Sequence, residues 1–130
     1  MDGKGILKVR VYTSRAEIPL EQATVVVTQR RPDGNYRLLS VQSTDSSGLI
    51  RPVTVDTPML WESTAPDSPD IPYALCEIWA QHPGFAVLLV EGVQVFPGVE
   101  TFQAMELTPL SEGQGSLENT EIRDIPSQNL

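Results

Sequence analysis

The stretch from Tyr73 to Leu107 constrains the fold more than any other. Tyr73 to Gln81 alternates: Ala74, Cys76, Ile78 and Ala80 fall on one face, and Leu75, Glu77 and Trp79 on the other, which is the period of a β-strand. His82-Pro83-Gly84 turns the chain, and Phe85 to Val90 reads as a second strand. Gly92 to Phe96 and Thr101 to Leu107 read as two more, flanking Pro97-Gly98. That dipeptide fits a type II turn, with Gly at the position needing positive φ. Segments of this kind build the core of a β-sandwich, and the rest of the chain reads as the strands that cover it.

From the start, Gly5 to Thr13 alternates Leu7, Val9 and Val11 against Lys8, Arg10 and Tyr12, a half-buried strand. Ser14 to Gln22 is an extended connection around Ile18-Pro19-Leu20. Ala23 to Arg30, centred on Val25-Val26-Val27, is a strand whose β-branched centre is expected to be covered on both sides. Pro32-Asp33-Gly34-Asn35 is a turn, so Tyr36 to Thr44 should close a hairpin. Asp45-Ser46-Ser47-Gly48 turns the chain again, and Ile50 to Val55 is a short strand with Pro52 near its start. From Ser111 the apolar pattern stops, so 111–130 reads as an acidic tail or linker without structure. The organisation expected is thus an extension at 1–4, a sandwich at 5–110 and a tail at 111–130.

A chain of 130 residues, 40% of them hydrophobic, suits one domain. The 11 Pro and 9 Gly punctuate short elements and argue for an all-β fold. The net charge of −8 argues against nucleic acid as a partner, which needs clustered Lys and Arg. That charge is uneven: residues 1–51 carry +3 and residues 52–130 carry −11. Opposite charges on adjacent strands would produce this, and so would two faces of opposite sign able to dock head to tail. The single cysteine, Cys76, allows no intrachain disulfide and sits in an apolar strand as a small core residue. No run approaches the length of a membrane span, and Met1-Asp2-Gly3-Lys4-Gly5 is not a signal peptide.

Thr57 to Pro72 holds Pro58, Pro66, Pro69 and Pro72, and a loop this long is often functional. Its Met59-Leu60-Trp61 triplet either caps one end of the sandwich or anchors a partner, with Asp67 and Asp70 as the rim of that contact. Catalytic templates find little else. The one histidine, His82, lies in a turn, Cys76 lies mid-strand, and no Ser stands in a nucleophile elbow. Asp45-Ser46-Ser47-Gly48 lacks the further carboxylates of a calcium loop. Asp67 and Asp70 lack an apolar pocket that would raise one pKa for acid–base work. The expectation is a chain that is not an enzyme and needs no cofactor or metal.

Gly5-Ile6-Leu7-Lys8-Val9-Arg10-Val11, Ile18-Pro19-Leu20-Glu21-Gln22-Ala23-Thr24-Val25-Val26-Val27, Thr44-Asp45-Ser46-Ser47-Gly48 and Tyr73 to Phe85, in this order, resemble the carboxypeptidase-regulatory-like family. The resemblance implies a transthyretin-like (prealbumin-like) antiparallel β-sandwich of about seven strands over residues 5–108. Tyr12 to Leu20 and Val93 to Gly98 are similar to the transthyretin-like module of clostridial spore-cortex-lytic and related peptidoglycan-associated proteins. That narrower resemblance implies a non-catalytic binding or scaffold role at a spore or cell envelope, with a protein or a cell-wall polymer as partner. Two other sandwich chemistries fit poorly. Hydroxyisourate hydrolases use several histidines and a terminal Tyr-Arg-Gly-Ser, whereas this chain ends Ser127-Gln128-Asn129-Leu130. An adhesin-type isopeptide bond could use Lys8 and Glu77, but the last strand offers Gln103 in place of Asn, so none is expected. The alternative function is a self-assembling structural protein that stacks by edge strands or by charge, through Lys8, Arg10 and the acidic half.

Overall fold

A computed structural model of the chain describes residues 3–31, 34–58, 73–110 and 120–124, the last of these by backbone alone. Nine strands are formed among these residues: β1 (Gly3–Thr13), β2 (Ile18–Pro19), β3 (Thr24–Arg30), β4 (Tyr36–Ser43), β5 (Val53–Thr57), β6 (Ala74–Gln81), β7 (Val87–Val95), β8 (Glu100–Glu106) and β9 (Thr120–Asp124). The fold is an all-β sandwich. In the four-stranded sheet β1 is central: β5 and β2 pair with successive parts of it, antiparallel, and β8 pairs with it in parallel. The five-stranded sheet runs β4-β3-β6-β7-β9, antiparallel except for the parallel pair of β7 with β9.

Alternation decides what lies between the sheets. Leu7, Val9 and Val11 of β1, Val25 and Val27 of β3, and Cys76, Ile78 and Ala80 of β6 are fully buried in one core. Val53, Val55, Leu88, Val90, Val93, Val95 and Met105 also belong to it. Fully burying a Val or Leu side chain is worth about 1.5–3 kcal/mol, so this shared core dominates the stability. The opposite phase of β1 and β6 points away from this core, with Lys8 and Arg10 on one sheet and Glu77 and Trp79 on the other, while on β7 both phases are buried, Val87 and Leu89 included. Val26 is half-buried on an outer face rather than covered on both sides.

Three further expectations are corrected. The runs 85–90 and 92–96 are one strand, β7, because the Glu91–Gly92 step is absorbed as a bulge. The register with β6 shifts between Cys76 and Ile78, and Gly92 takes φ 74° there. The short strand expected from Ile50 begins at Val53; Leu49 instead makes a single bridge to Arg10. Within the expected tail, Thr120–Asp124 form β9, in register from Val87↔Thr120 to Glu91↔Asp124. A strand at a sheet edge needs few apolar residues, because backbone pairing rather than side-chain burial holds it.

The turns follow the sequence. Gly98 has φ 73° and the Val99 N–H donates to Phe96 O at 3.3 Å; Gly84 has φ 84° and the Phe85 N–H donates to His82 O at 3.1 Å. Asp45 Oδ1 accepts the N–H groups of Ser47 and Leu49 at 2.8 and 3.0 Å, an Asx turn. Thr44, from the same segment, is buried: its Oγ1 accepts the Ala23 N–H at 2.9 Å and donates to Leu20 O at 2.5 Å. That hydroxyl ties the start of β3 to the connection before it.

Candidate functional site

The residues with the best claim to chemistry are held in structural roles. Cys76 is fully buried, and burial pushes its thiol up to about 12, which keeps it protonated and unreactive near neutral pH. The His82 ring nitrogens lie 2.9 Å from Pro83 O and 3.0 Å from Glu21 O, and the ring meets Phe85 edge-on at 5.3 Å. His82 thus latches the β6–β7 turn to the segment before β3. Lys8 and Glu77 lie on opposite outer faces with the whole core between them. Lys8 pairs with Glu100 at 3.2 Å and Glu77 with Arg30 at 2.9 Å, so neither is placed to react with the other.

Met59, Leu60, Trp61, Asp67 and Asp70, the partner contact expected from the sequence, lie outside the described residues. The described residues offer a different surface. An open groove of about 980 Å³ lies beside β1, lined by Lys8, Val41, Leu49, Arg51, Pro52 and Phe102. β1 sets its floor: Phe102 is the register partner of Lys8 on one side, and Leu49 bridges Arg10 on the other. Leu49 and Phe102 are two of the eight large hydrophobics left exposed among the described residues, at 37% and 58%, whereas Val41 reaches the groove from the edge strand β4, its side chain in phase with Val26 and Trp79. Apolar side chains gathered in one concavity mark a binding surface more than the same side chains scattered singly.

Polar groups frame the groove. One side chain fixes Arg51: Gln42 Oε1 accepts its backbone N–H at 2.9 Å and its Nε at 3.3 Å, and Gln42 Nε2 donates to Arg51 O at 3.0 Å. The Asp45 carboxylate, also at the groove, is engaged in its own turn. None of this was legible in the sequence except Phe102, which falls on the outward phase of its strand beside Glu100 and Glu106, opposite Met105.

Charge elsewhere is interleaved. Lys4 and Arg37 lie 2.6 and 3.6 Å from the Asp56 carboxylate, and Arg10 lies 3.3 Å from Glu17. Basic residues of the first half therefore meet Asp56, Glu77 and Glu100 of the second, which is the adjacent-strand explanation of the uneven charge. Among the described residues no group of three or more His, Cys, Asp or Glu is placed to hold a metal ion. Among them, too, no helix is long and apolar enough to cross a membrane.

Fold and surface together define a β-sandwich domain with an open groove beside β1. Among solved structures it is similar to catechol 1,2-dioxygenase of Acinetobacter radioresistens. Two point mutants of that enzyme match, with TM-scores of 0.60 and 0.59, each at 14% identity over 95% of this chain and 58% of that one. It is also similar to GBS52, the minor pilin of Streptococcus agalactiae, with TM-score 0.50 and 11% identity over 98% of this chain and 50% of that one. The chain thus spans between half and three-fifths of these structures, and at such identities the likeness is one of fold alone. No family model and no curated protein sequence matches the chain.

Proposed function

We propose that this chain is a non-catalytic binding or scaffold module of a spore or cell-envelope system, contacting protein or peptidoglycan. The observation that carries the reading is the groove beside β1, where the exposed Leu49 and Phe102 side chains and an arginine fixed by Gln42 gather around a central strand. Side chains already held by hydrogen bonds, as Arg51 is by Gln42 of β4, lose less entropy on binding than free ones do. The resemblance of the ordered motifs to the transthyretin-like, carboxypeptidase-regulatory-like family supplies the spore and peptidoglycan context. An enzymatic reading has less support: the dioxygenase likeness is of fold alone, the only thiol is buried, and the only imidazole is committed to backbone carbonyls.

Co-sedimentation with insoluble sacculi from spore cortex and from vegetative wall tests the reading. Retention that survives physiological salt and is lost in the double variant Leu49→Ser, Phe102→Ser supports it. Failure to sediment with either sacculus removes the wall-polymer arm and leaves protein scaffolding.

Self-assembly is the second reading, and β4 favours it. This strand ends the five-stranded sheet and exposes Tyr36, Leu38 and Val41. A bulge at Leu39 and the charged Arg37 work against edge pairing there. Stacking through Lys8 and Arg10 is also weakened, because both are paired within the chain. Light scattering that rises with protein concentration would favour assembly over binding.

A further inference from the structure

We propose that the groove beside β1 binds a short extended peptide bearing a carboxylate next to an aliphatic side chain, with the Arg51 guanidinium taking the carboxylate. The proposal rests on the reading of the chain as a binding module and names the ligand class of that module.

Arg51 and Lys8 are the basic residues that line this surface. Lys8 has the Glu100 carboxylate at 3.2 Å. Arg51 has none among the described residues. It is nevertheless not a loose surface side chain. Gln42 holds its backbone N–H, its carbonyl and its Nε, and a further Gln42 Nε2 bond to Ser40 Oγ at 2.9 Å fixes the glutamine in turn. The two terminal guanidinium nitrogens are left as a positioned fork without an acceptor among the described residues. Such a fork matches the two oxygens of a carboxylate, and much of the side-chain entropy that binding would otherwise cost is already lost.

What lies around the fork selects the rest of the ligand. Leu49 and Phe102 present apolar surface, and Pro52 adds a rigid edge. An aliphatic residue adjacent to the carboxylate would cover them. The other charges at the groove limit how acidic the ligand can be. Lys8 is neutralised by Glu100, and Asp45 keeps a negative charge at the rim although two N–H groups satisfy Oδ1. One carboxylate is therefore favoured and a polyacidic segment is repelled. A volume of about 980 Å³ on an open face suits a few extended residues rather than a single small acid.

The test uses the full chain and two synthetic probes, acetyl-Ala-Val-Leu with a free carboxylate and the same peptide as a C-terminal amide. Binding is read by amide and Arg Nε–H chemical-shift changes in NMR titrations. The acid peptide should bind at least about tenfold more tightly than the amide, the scale of one charge-assisted hydrogen-bonded pair, and should move the Arg51 Nε–H signal. Arg51→Gln should remove that preference while leaving the amide peptide unchanged. Arg51→Lys, which keeps the charge but loses the fork, should recover only part of it, and Arg15→Gln should change nothing. Both Arg51 variants keep the backbone bonds to Gln42, so they should fold; an unchanged thermal transition checks this. Equal binding of the two peptides, or an Arg51→Gln variant with full preference, overturns the proposal. Sacculus retention that is intact in Arg51→Gln overturns it while leaving the binding-module reading standing. Absence of both peptide binding and sacculus retention in the wild type overturns the proposal and the wall-polymer reading together.

Discussion

Arg30 on β3 reaches across to Glu77 on β6, Nη2 to Oε1 at 2.9 Å, and joins an exposed cation to a carboxylate whose side chain is 5% exposed. The second carboxylate oxygen, Oε2, has no hydrogen-bond partner among the described residues. Loss of water outweighs the attraction of Arg30, so burial pushes the Glu77 carboxyl above its usual range, and Glu91 nearby adds to the rise. In the register of β6 with β7, Glu77 lies opposite the bulge at Glu91–Gly92.

Glu77 therefore sets a pH dependence whose sign follows from the raised pKa. The folded state holds the Glu77 proton more tightly than the unfolded chain does. Its contribution is favourable at low pH and is lost as pH rises through the folded pKa. Glu77→Gln keeps an acceptor for Arg30 but cannot ionise. It should be more stable than the wild type at pH 8 by on the order of 1 kcal/mol, with the difference gone at about pH 3. Urea denaturation at the two pH values measures it. Asp56 acts in the opposite sense: its hydrogen bond to Lys4 holds its carboxyl below the usual value, so its contribution is present above that value and lost on acidification.

Thr44→Val should be costly although the side chains are nearly equal in volume. The Thr44 hydroxyl satisfies Ala23 N–H and Leu20 O together in a buried setting. Removing it leaves two backbone groups unpaired and should destabilise the fold by about 2–4 kcal/mol. The change would be read as a lower urea midpoint with an unaltered slope.

Two glycines with similar backbone angles should respond differently to alanine. Gly48 has φ 76°, and a Cβ there would collide with the Val11 carbonyl oxygen, which β1 holds in place. Gly34 has φ 90° with nothing within 4 Å of an added Cβ. Gly34→Ala should cost about 1–2 kcal/mol, the left-handed backbone penalty alone. Gly48→Ala should cost clearly more, because β1 must shift. Thermal denaturation of the pair separates strain from collision.

Cys76 should resist thiol reagents in the native state. It is fully buried with its thiol pushed up to about 12, so labelling requires opening of the sandwich. Labelling at pH 8 should be slow in buffer and rapid in denaturing urea. Fast labelling in buffer would mean that β6 opens locally and that its place in the core is not rigid.

The period-two pattern alone determined which residues face inward on most strands: Leu7, Val9 and Val11, or Ala74, Cys76, Ile78 and Ala80. It placed the Asx turn at Asp45 and the turns at Gly84 and Gly98, because alternation and turn chemistry are local properties of the chain. Which strands pair beyond the β3–β4 and β6–β7 hairpins is not local, and only the tertiary structure decided it. The parallel seating of β8 on β1, the joining of two runs into β7 across a bulge at Glu91–Gly92, and the addition of β9 at the sheet edge all depend on pairing between distant segments. The groove is the sharpest case. Gln42, Leu49, Arg51 and Phe102 come from a strand, a turn, a connection and a distant strand, each ordinary by itself. They become a surface only because β1 carries Phe102 on one side and Leu49 on the other, while Gln42 fixes Arg51 between the two sheets.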